Sequence, residues 1–398
     1  MLRARTLPVA GCFITLALAT GHCGGGSSAG TPGGSSSSGS SSSSSGSSDS
    51  GGSSSSGGST GDPGNPNGSC SAGVPAQGQP VDVSNPATVI GTGTPADCTF
   101  SKLAAAVTAG GVITFNCGAA PVTIPVTATL NLPTDRNTVI DGGNLITLDG
   151  GNSVQILRFD HADFMVNLNG ITLQHITLVN GKTTPTQAIP SAPAPCSQGY
   201  DDGEGGAMYV RDGTVRIIDV TFENNQAALL GPDTGGGGLY ILGSKPAFIV
   251  NSSFINNKAS NGGGLGTLFV DLNVYNCLFE GNTATGNGAN NNDASQCSAI
   301  NNGQNEIGSG GNGGALYNDG ASATNVTVCG TQITNNAAGT GAFGGGIFYT
   351  SNDFSGTLTI TDSTITGNTG GSWGGAGTAV GVNAKAIVIT NSTVQGYP

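Results

Sequence analysis

Residues 249–265 read IVNSSFINNKASNGGGL and contain the two phrases that decide the fold. The first phrase, Ile249–Asn257, runs from an aliphatic residue through Asn251 and a large apolar residue, Phe254, to a pair of asparagines. The second phrase is a glycine pair followed by an apolar residue. Short runs of β-branched and aromatic residues, broken by Gly and Asn, are typical of short β-strands joined by tight turns.

Both phrases recur along the chain, most clearly between residues 170 and 398. Further copies of the first phrase are Leu173–Gly181, Ile217–Asn225, Val274–Asn282, Val328–Asn336, Ile360–Asn368 and Ile389–Tyr397. Further copies of the second phrase are Gly205–Tyr209, Gly237–Tyr240, Gly313–Tyr317 and Gly345–Phe348. Two motifs that alternate over several copies indicate a repeat architecture.

The large apolar residue of each copy marks one position in a repeating unit. In chain order these anchors are Leu178, Phe222, Phe254, Phe279, Ile333, Ile365 and Val394. One unit cannot bury its own apolar face, but stacked units cover one another, with strands about 4.8 Å apart. The anchors then form an internal column, and turn asparagines form an amide ladder. The sequence therefore predicts an all-β fold, a right-handed single-stranded parallel β-helix over residues 70–398.

The alternation of Gly-Gly-Ala-aliphatic with Phe-x-x-Asn resembles the repeat of chlamydial-type polymorphic outer-membrane proteins. It is also similar to the wider group of pectate-lyase-like β-helix proteins. The resemblance covers roughly residues 170–398. It implies a parallel β-helix that is displayed at the outer cell surface or secreted.

A short helix is predicted at the start of the fold. Residues 98–110 are rich in alanine, and Gly110-Gly111 stops the run. A solenoid needs a cover over its open end, so we expect this helix to cap the first unit.

The cysteines suggest two disulfides. Cys98 and Cys117 flank the predicted helix, and such a pair can form a disulfide in the oxidising environment that an exported protein meets. A bridge between Cys196 and Cys297 is a second hypothesis, because each lies in a long loop. Cys277 and Cys329 are expected to be buried small hydrophobes. The sequence offers no partner for Cys70.

The N-terminus predicts export. Residues 1–22 combine basic residues with the short apolar run Leu7–Ala19, as a signal peptide does. Two fates stay open: cleavage after the small residues of Ala17–Ala19, or lipidation of Cys23. Residues 23–69 are nearly all Ser and Gly, and are predicted to be a disordered tether. We therefore expect the protein at the outer membrane and cell surface, or secreted.

Two insertions interrupt the repeat at the same corner, within about 182–204 and 283–311. The candidate site residues of this corner are the loop carboxylates Asp201, Asp202, Glu204 and Asp233. Such a cluster can bind Ca²⁺ or supply an acid and a base for sugar hydrolysis. The alternative is that these are ordinary solvated charges. No cofactor is expected other than this candidate Ca²⁺, and no metal ligand or catalytic residue is assigned.

The charge balance excludes several classes of partner. The formal net charge is −12 with only 11 Lys and Arg, which disfavours nucleic acid and anionic lipid. The membrane is expected to be reached only through the N-terminal lipid anchor. The sequence favours a non-catalytic surface protein that mediates adhesion, with an extracellular polysaccharide or surface protein as partner. The alternative is a divergent polysaccharide lyase or glycoside hydrolase.

Overall fold

A computed structural model describes most of the chain after the predicted tether. The residues described are 63–187, 199–200, 202–243, 246–286, 310–320, 323–370 and 380–396. Strands make up 42% and helices 6%, so the protein is all-β as predicted. Several predictions fall outside the described residues, namely those for the signal peptide, Cys23, Cys196, Cys297 and Asp201.

One α-helix, α1 (Phe100–Ala109), and two 3₁₀ turns (Ala76–Gly78 and Pro95–Asp97) accompany the strands. The strands are β1 (Thr88–Ile90), β2 (Gly111–Phe115), β3 (Val122–Pro125), β4 (Leu130–Asn131), β5 (Thr138–Asp149), β6 (Leu157–Asp160), β7 (Gly170–Val179), β8 (Met208–Arg211), β9 (Thr214–Glu223), β10 (Leu239–Leu242), β11 (Ala247–Val250), β12 (Ser253–Ile255), β13 (Lys258–Ala259), β14 (Leu265–Leu268), β15 (Leu272–Tyr275), β16 (Leu278–Glu280), β17 (Thr283–Ala284), β18 (Leu316–Gly320), β19 (Val326–Cys329), β20 (Gln332–Thr334), β21 (Ile347–Ser351), β22 (Thr357–Thr361), β23 (Thr364–Thr366), β24 (Val380–Asn383), β25 (Ala386–Thr390) and β26 (Thr393–Val394).

Two large parallel sheets carry the repeat. Sheet 1 has 16 strands, and its central path runs β25-β22-β19-β15-β11-β9-β12-β16-β20-β23-β26. Sheet 2 has eight strands in the order β24-β21-β18-β14-β10-β8-β6-β4. Each strand pairs in parallel with the equivalent strand of the next sequence repeat. For example, β10, β14 and β18 pair with Leu239, Leu265 and Leu316 in register. These parallel, curled sheets are compatible with a β-helix-like fold.

The long strand β9 shows how sheet 1 divides. Its first half pairs with β11 and its second half with β12. Between the halves Asp219 has a left-handed φ of 53°, and the equivalent Asn251 has 45°. Asn and Asp tolerate this conformation better than other residues with side chains, which explains why most copies of the repeat have one of them there. The equivalent residues His175 and Gly330 also have a positive φ.

The predicted apolar column is present. Phe222, Phe254 and Phe279 are in register on β9, β12 and β16, with ring centroids 4.8 and 4.7 Å apart. All three rings are fully buried. Leu178 precedes them in the column, and the later anchors follow them in register.

The predicted asparagine ladder is also present. Its buried members are Asn225, Asn257, Asn282, Asn336 and Asn368. Each Nδ2 donates to the Oδ1 of the next member at 2.9 Å, and that Oδ1 also accepts the previous member's backbone N–H. Gln395 ends the ladder, because its Oε1 accepts the backbone N–H of Asn368 at 3.0 Å. The ladder therefore satisfies buried polar groups in successive repeats.

A second ladder is made of hydroxyl groups. The side-chain oxygens of Ser252, Thr331, Ser363 and Ser392 each accept a backbone N–H from the preceding repeat. Cys277 occupies the equivalent position between Ser252 and Thr331. Its Sγ lies 3.2 Å from the Tyr275 carbonyl oxygen, and burial raises the pKa of the thiol to about 12. Cys277 is buried as predicted, and it substitutes for a hydroxyl group rather than for an apolar side chain.

The glycine pairs are required by the close approach of successive repeats. Gly262 has a φ of +55°, and a Cβ on Gly263 would lie 2.4 Å from the carbonyl oxygen of Gly314. The equivalent glycines of the other copies have the same surroundings. A side chain at this position would push two neighbouring repeats apart.

The predicted helix lies at the N-terminal end of the stack. Thr99 caps α1 by accepting the backbone N–H of Lys102, and Leu103, Ala106 and Val107 are buried. The helix packs against β1 and β4, which are terminal strands of the two sheets. Cys98 and Cys117 form a disulfide beside it.

The segment before β1 is a strap along the outside of the stack, not part of a free tether. Between residues 63 and 69, Gly64 donates to Ser253 Oγ at 2.9 Å, and Asn65 donates through Nδ2 to the Gly330 carbonyl oxygen at 2.8 Å. The sequence predicts a tether that extends to residue 69, but Gly64 and Asn65 are already hydrogen-bonded to the stack. The strap also explains Cys70, which forms a disulfide with Cys329. Cys329 is buried as expected, but it is part of this disulfide and not simply a small hydrophobic residue.

Candidate functional site

Three of the predicted loop carboxylates, Asp202, Glu204 and Asp233, lie among the described residues. Asp202 accepts hydrogen bonds from the backbone N–H and the hydroxyl of Thr186, and its enclosed Oδ1 has no hydrogen-bond partner in the described part of the chain. Glu204 and Asp233 lie near Tyr240, whose pKa is raised by burial and further by these two charges. Glu204 and Asp233 are thus both within electrostatic range of Tyr240 on the outer face of sheet 2, whereas Asp202 is engaged with its own loop.

A column of aromatic side chains occupies this outer face. Leu239 and Ile241 point into the core, so Tyr240 between them points to the opposite face. Its partners in register are Tyr209 on one side and, beyond Gly266, Tyr317. Tyr209 and Tyr240 stack with centroids 6.3 Å apart. All three tyrosines are nevertheless buried, and the Tyr240 hydroxyl donates to the carbonyl oxygen of Asp233 in the loop before β10.

Asp319 is the acidic residue that sequence reasoning missed. It lies at the end of β18, where its Oδ2 accepts a hydrogen bond from the Tyr317 hydroxyl at 3.2 Å. Its Oδ1 is enclosed, and the side chain of Asn352 also lies close enough to the carboxyl to lower its pKa. Burial, and then the charge of Asp233, raises the pKa of the Asp319 carboxyl to about 7. A carboxyl with that pKa can exchange a proton near neutral pH.

Among the described residues, these acids do not form a compact metal centre. Within the described ranges, one group of three His, Cys, Asp or Glu side chains has all its ligand atoms within 4.8 Å, namely Cys70, Cys329 and Asp362. Its two cysteines are joined in the disulfide, so it does not offer thiolate ligands. Two surface depressions, of about 300 and 340 Å³, lie away from the acids, beside α1 and beside the strap.

His161 follows β6, and His175 lies in the middle of β7 at a residue with a left-handed φ of 52°. His175 is placed between two carboxylates, with Nδ1 3.2 Å from Asp141 Oδ2 and Nε2 3.5 Å from Asp219 Oδ2. His161 Nδ1 lies 3.8 Å from the buried Asp212. These contacts join neighbouring repeats, which gives both residues a structural role.

A second feature lies at the corner between sheet 2 and sheet 1. We call it the corner patch; its members are Phe164, Met165, Val166, Leu168, Phe269 and Phe354. Leu168 is 79% exposed, and the other members are partly or largely exposed. The ring centroids of Phe164 and Phe269 are 6.2 Å apart. Apolar side chains grouped in this way at a surface are typical of an interaction site.

The loop 161–169 builds the corner patch by running along the stack. The backbone N–H groups of Val166 and Asn167 donate to Asp212 Oδ2 at 2.8 and 2.6 Å. Phe164 then lies over Gly243, where a Cβ would be 2.0 Å from its ring. The loop therefore crosses two repeats to reach Phe269, which belongs to the third.

Comparisons of the chain with protein-family models, with curated proteins and with solved structures find no match. What the chain does must therefore be inferred from its own residues and their geometry. Over the residues that the structure describes, there is no helix with the length and apolarity that a membrane crossing requires.

The sequence contained one signal for the aromatic column and none for the corner patch. Most copies of the second phrase place an aromatic residue after the inward-facing residue, as Tyr240 follows Leu239, and Gly266 is the exception. That repetition marks an outward column. The corner patch depends instead on the path of loop 161–169, which has no repeat counterpart.

Proposed function

We propose that this protein is an exported right-handed parallel β-helix that binds an extracellular polysaccharide or surface protein without transforming it. The two sheets supply the parallel strands of such a fold, and each sequence repeat then corresponds to one coil. Crossovers between parallel strands of one sheet are right-handed in about 98% of cases, which supports the handedness.

The corner patch is the observation that supports a binding function. Soluble monomers rarely expose a contiguous apolar area unless it contacts a partner. Loop 161–169 is held to the stack by Asp212, so Phe164 and Leu168 are presented on an ordered surface. Because the surface is already ordered, binding of a partner costs less conformational entropy.

The cellular location in this proposal follows from the N-terminal sequence. A signal peptide over residues 1–22 would export the chain, and a lipid on Cys23 would hold it at the outer membrane or cell surface. The Ser/Gly segment would then place the β-helix at a distance from that membrane. Incorporation of labelled palmitate that is lost in Cys23→Ser supports the anchor, and no incorporation leaves the secreted form.

The double variant Phe164→Ser/Leu168→Ser is predicted to lose at least 90% of its binding to extracellular surfaces. It removes apolar area from the corner patch while the buried column stays intact. The measurement is the amount of purified, labelled protein retained on fixed cells and on isolated matrix. Val388→Ser is the matched control, because Val388 is 44% exposed on sheet 1. Equal retention of the patch variant and the control would show that the patch is not the binding surface.

A polysaccharide lyase or glycoside hydrolase is the second candidate, favoured by Asp319. Its raised pKa and the neighbouring Asp233 resemble the environment of a general acid beside a second carboxyl. The test is incubation with pectate, polygalacturonate and neutral glycans, with and without Ca²⁺. Unsaturated products or new reducing ends that disappear in Asp319→Asn but not in Asp163→Asn would establish this candidate. Turnover unaffected by Asp319→Asn would exclude this site.

A further inference from the structure

Each of the three turns that supply a phenylalanine to the corner patch also supplies an exposed aspartate. Asp163 precedes Phe164, Asp353 precedes Phe354, and Asp271 follows Phe269 by two residues. All three turns connect sheet 2 to sheet 1, so they lie along the same corner of the stack. The result is a line of apolar side chains accompanied by negative charge.

Two of these carboxylates are held in place by uncharged donors. Asp271 Oδ1 accepts the backbone N–H of Asn325 at 2.6 Å. Asp353 Oδ1 accepts the backbone N–H and the hydroxyl of Ser355, which lower its pKa to about 2. Among the described residues, none of the three aspartates forms an ion pair with Lys, Arg or His. Their charge is therefore available to a partner.

The described cations of this corner do not cancel that charge. Arg211 donates to the carbonyl oxygens of His161 and Ala162, and its guanidinium lies 5.6 Å from the centre of the Phe164 ring. Lys385 is exposed one coil beyond Phe354. The chain as a whole carries −12, so a second copy or a polyanionic glycan would meet repulsion.

The dimensions of the corner suit a protein segment. Phe269 and Phe354 follow β14 and β21, and these two strands are separated by one strand, so the strands lie roughly 10 Å apart along the stack. That separation is about the width of one α-helix with its side chains. An amphipathic segment could place apolar side chains on the phenylalanines and basic side chains on the aspartates.

We propose that the corner patch docks a cationic amphipathic protein segment, in which Lys or Arg flanks an apolar stripe. This inference rests on the proposed binding function and names the partner class for the same surface. A bacterial-type anionic membrane shares the apolar character but would be repelled by the three aspartates. Charge complementarity therefore favours a basic protein over a lipid surface.

The test uses the full chain and a fluorescent 18-residue amphipathic peptide of Leu and Lys, with a Leu/Glu peptide as its control. Asp271→Asn/Asp353→Asn is expected to weaken binding of the Lys peptide roughly three- to tenfold at low salt, as for two exposed ion pairs. Glu223→Gln/Glu280→Gln changes the net charge equally on another face and is expected to leave binding unchanged. Added NaCl at 0.3 M should reduce wild-type binding toward that of the aspartate variant.

Equal weakening in both double variants would overturn the inference, because net charge alone would then explain binding. Equal binding of the Glu peptide would also overturn it. Association with phosphatidylcholine–phosphatidylglycerol vesicles that requires Phe164 and Leu168 would overturn it in favour of a lipid partner. If Phe164→Ser/Leu168→Ser abolishes surface retention while both peptides bind equally, this inference alone fails. If retention survives that variant, the proposed binding function fails.

Discussion

Replacing Phe254 by alanine is expected to lower the free energy of unfolding by about 3–5 kcal/mol. The ring is fully buried and stacks between Phe222 and Phe279 with centroids 4.8 and 4.7 Å away. Its removal leaves a cavity in the middle of the column, and the two neighbours lose contact atoms that backbone pairing prevents them from regaining. Urea denaturation followed by far-UV circular dichroism measures the change.

Phe354→Ala is the matched control for the column. Phe354 is 49% exposed, so its truncation should change the free energy of unfolding by less than about 1 kcal/mol. Similar losses for Phe254→Ala and Phe354→Ala would show that Phe254 is not in a packed interior.

Replacing Asn282 by alanine is expected to have a comparable effect, again about 3–5 kcal/mol. The Asn282 Oδ1 accepts both the backbone N–H and the Nδ2 group of Asn257, at 3.0 and 2.9 Å. Its Nδ2 donates to the Phe254 carbonyl oxygen at 2.7 Å and to Asn336 Oδ1 at 2.9 Å. Alanine would leave several buried groups without a partner, each at a cost of about 1–3 kcal/mol.

Asn273→Ala is the control for the ladder. Asn273 is partly buried, and its side chain donates one long hydrogen bond, 3.3 Å, to the Ala247 carbonyl oxygen. Its replacement should cost less than about 1 kcal/mol in the same urea titration. A loss for Asn282→Ala no larger than that of Asn273→Ala would mean that the amide ladder does not stabilise the stack.

The repeating part of the fold could be predicted because the same types of residue recur at equivalent positions of successive repeats. Phe254 and its equivalents are large because they fill one column, and Asn282 and its equivalents are amides because a ladder needs both a donor and an acceptor. Gly263 is glycine because the next backbone occupies the space of a Cβ. A requirement that recurs in several copies can be recognised in one sequence without an alignment.

The parts that occur once could not be predicted in this way. The strap pairs Cys70 with Cys329 across 259 residues, and no repeat marks its path. Asp319 belongs to a repeating strand, but its raised pKa arises from burial and from the charge of Asp233, which only the folded chain brings about. Loop 161–169 likewise reaches Phe269 by a route set by Asp212, a contact that local sequence does not encode.

The central claim is that successive sequence repeats are neighbouring coils in a fixed parallel register. Thr177 and Thr221 are partners on β7 and β9, and both side chains are partly exposed. Thr177→Cys/Thr221→Cys should therefore be bridged by dibromobimane, a short reagent that fluoresces strongly when it joins two nearby thiols. In the control pair Thr177→Cys/Glu223→Cys, the second cysteine lies two residues further along β9 on the same face. This pair should therefore react much less. Bridging of the displaced pair in preference to the partner pair, or of neither pair, would contradict the account.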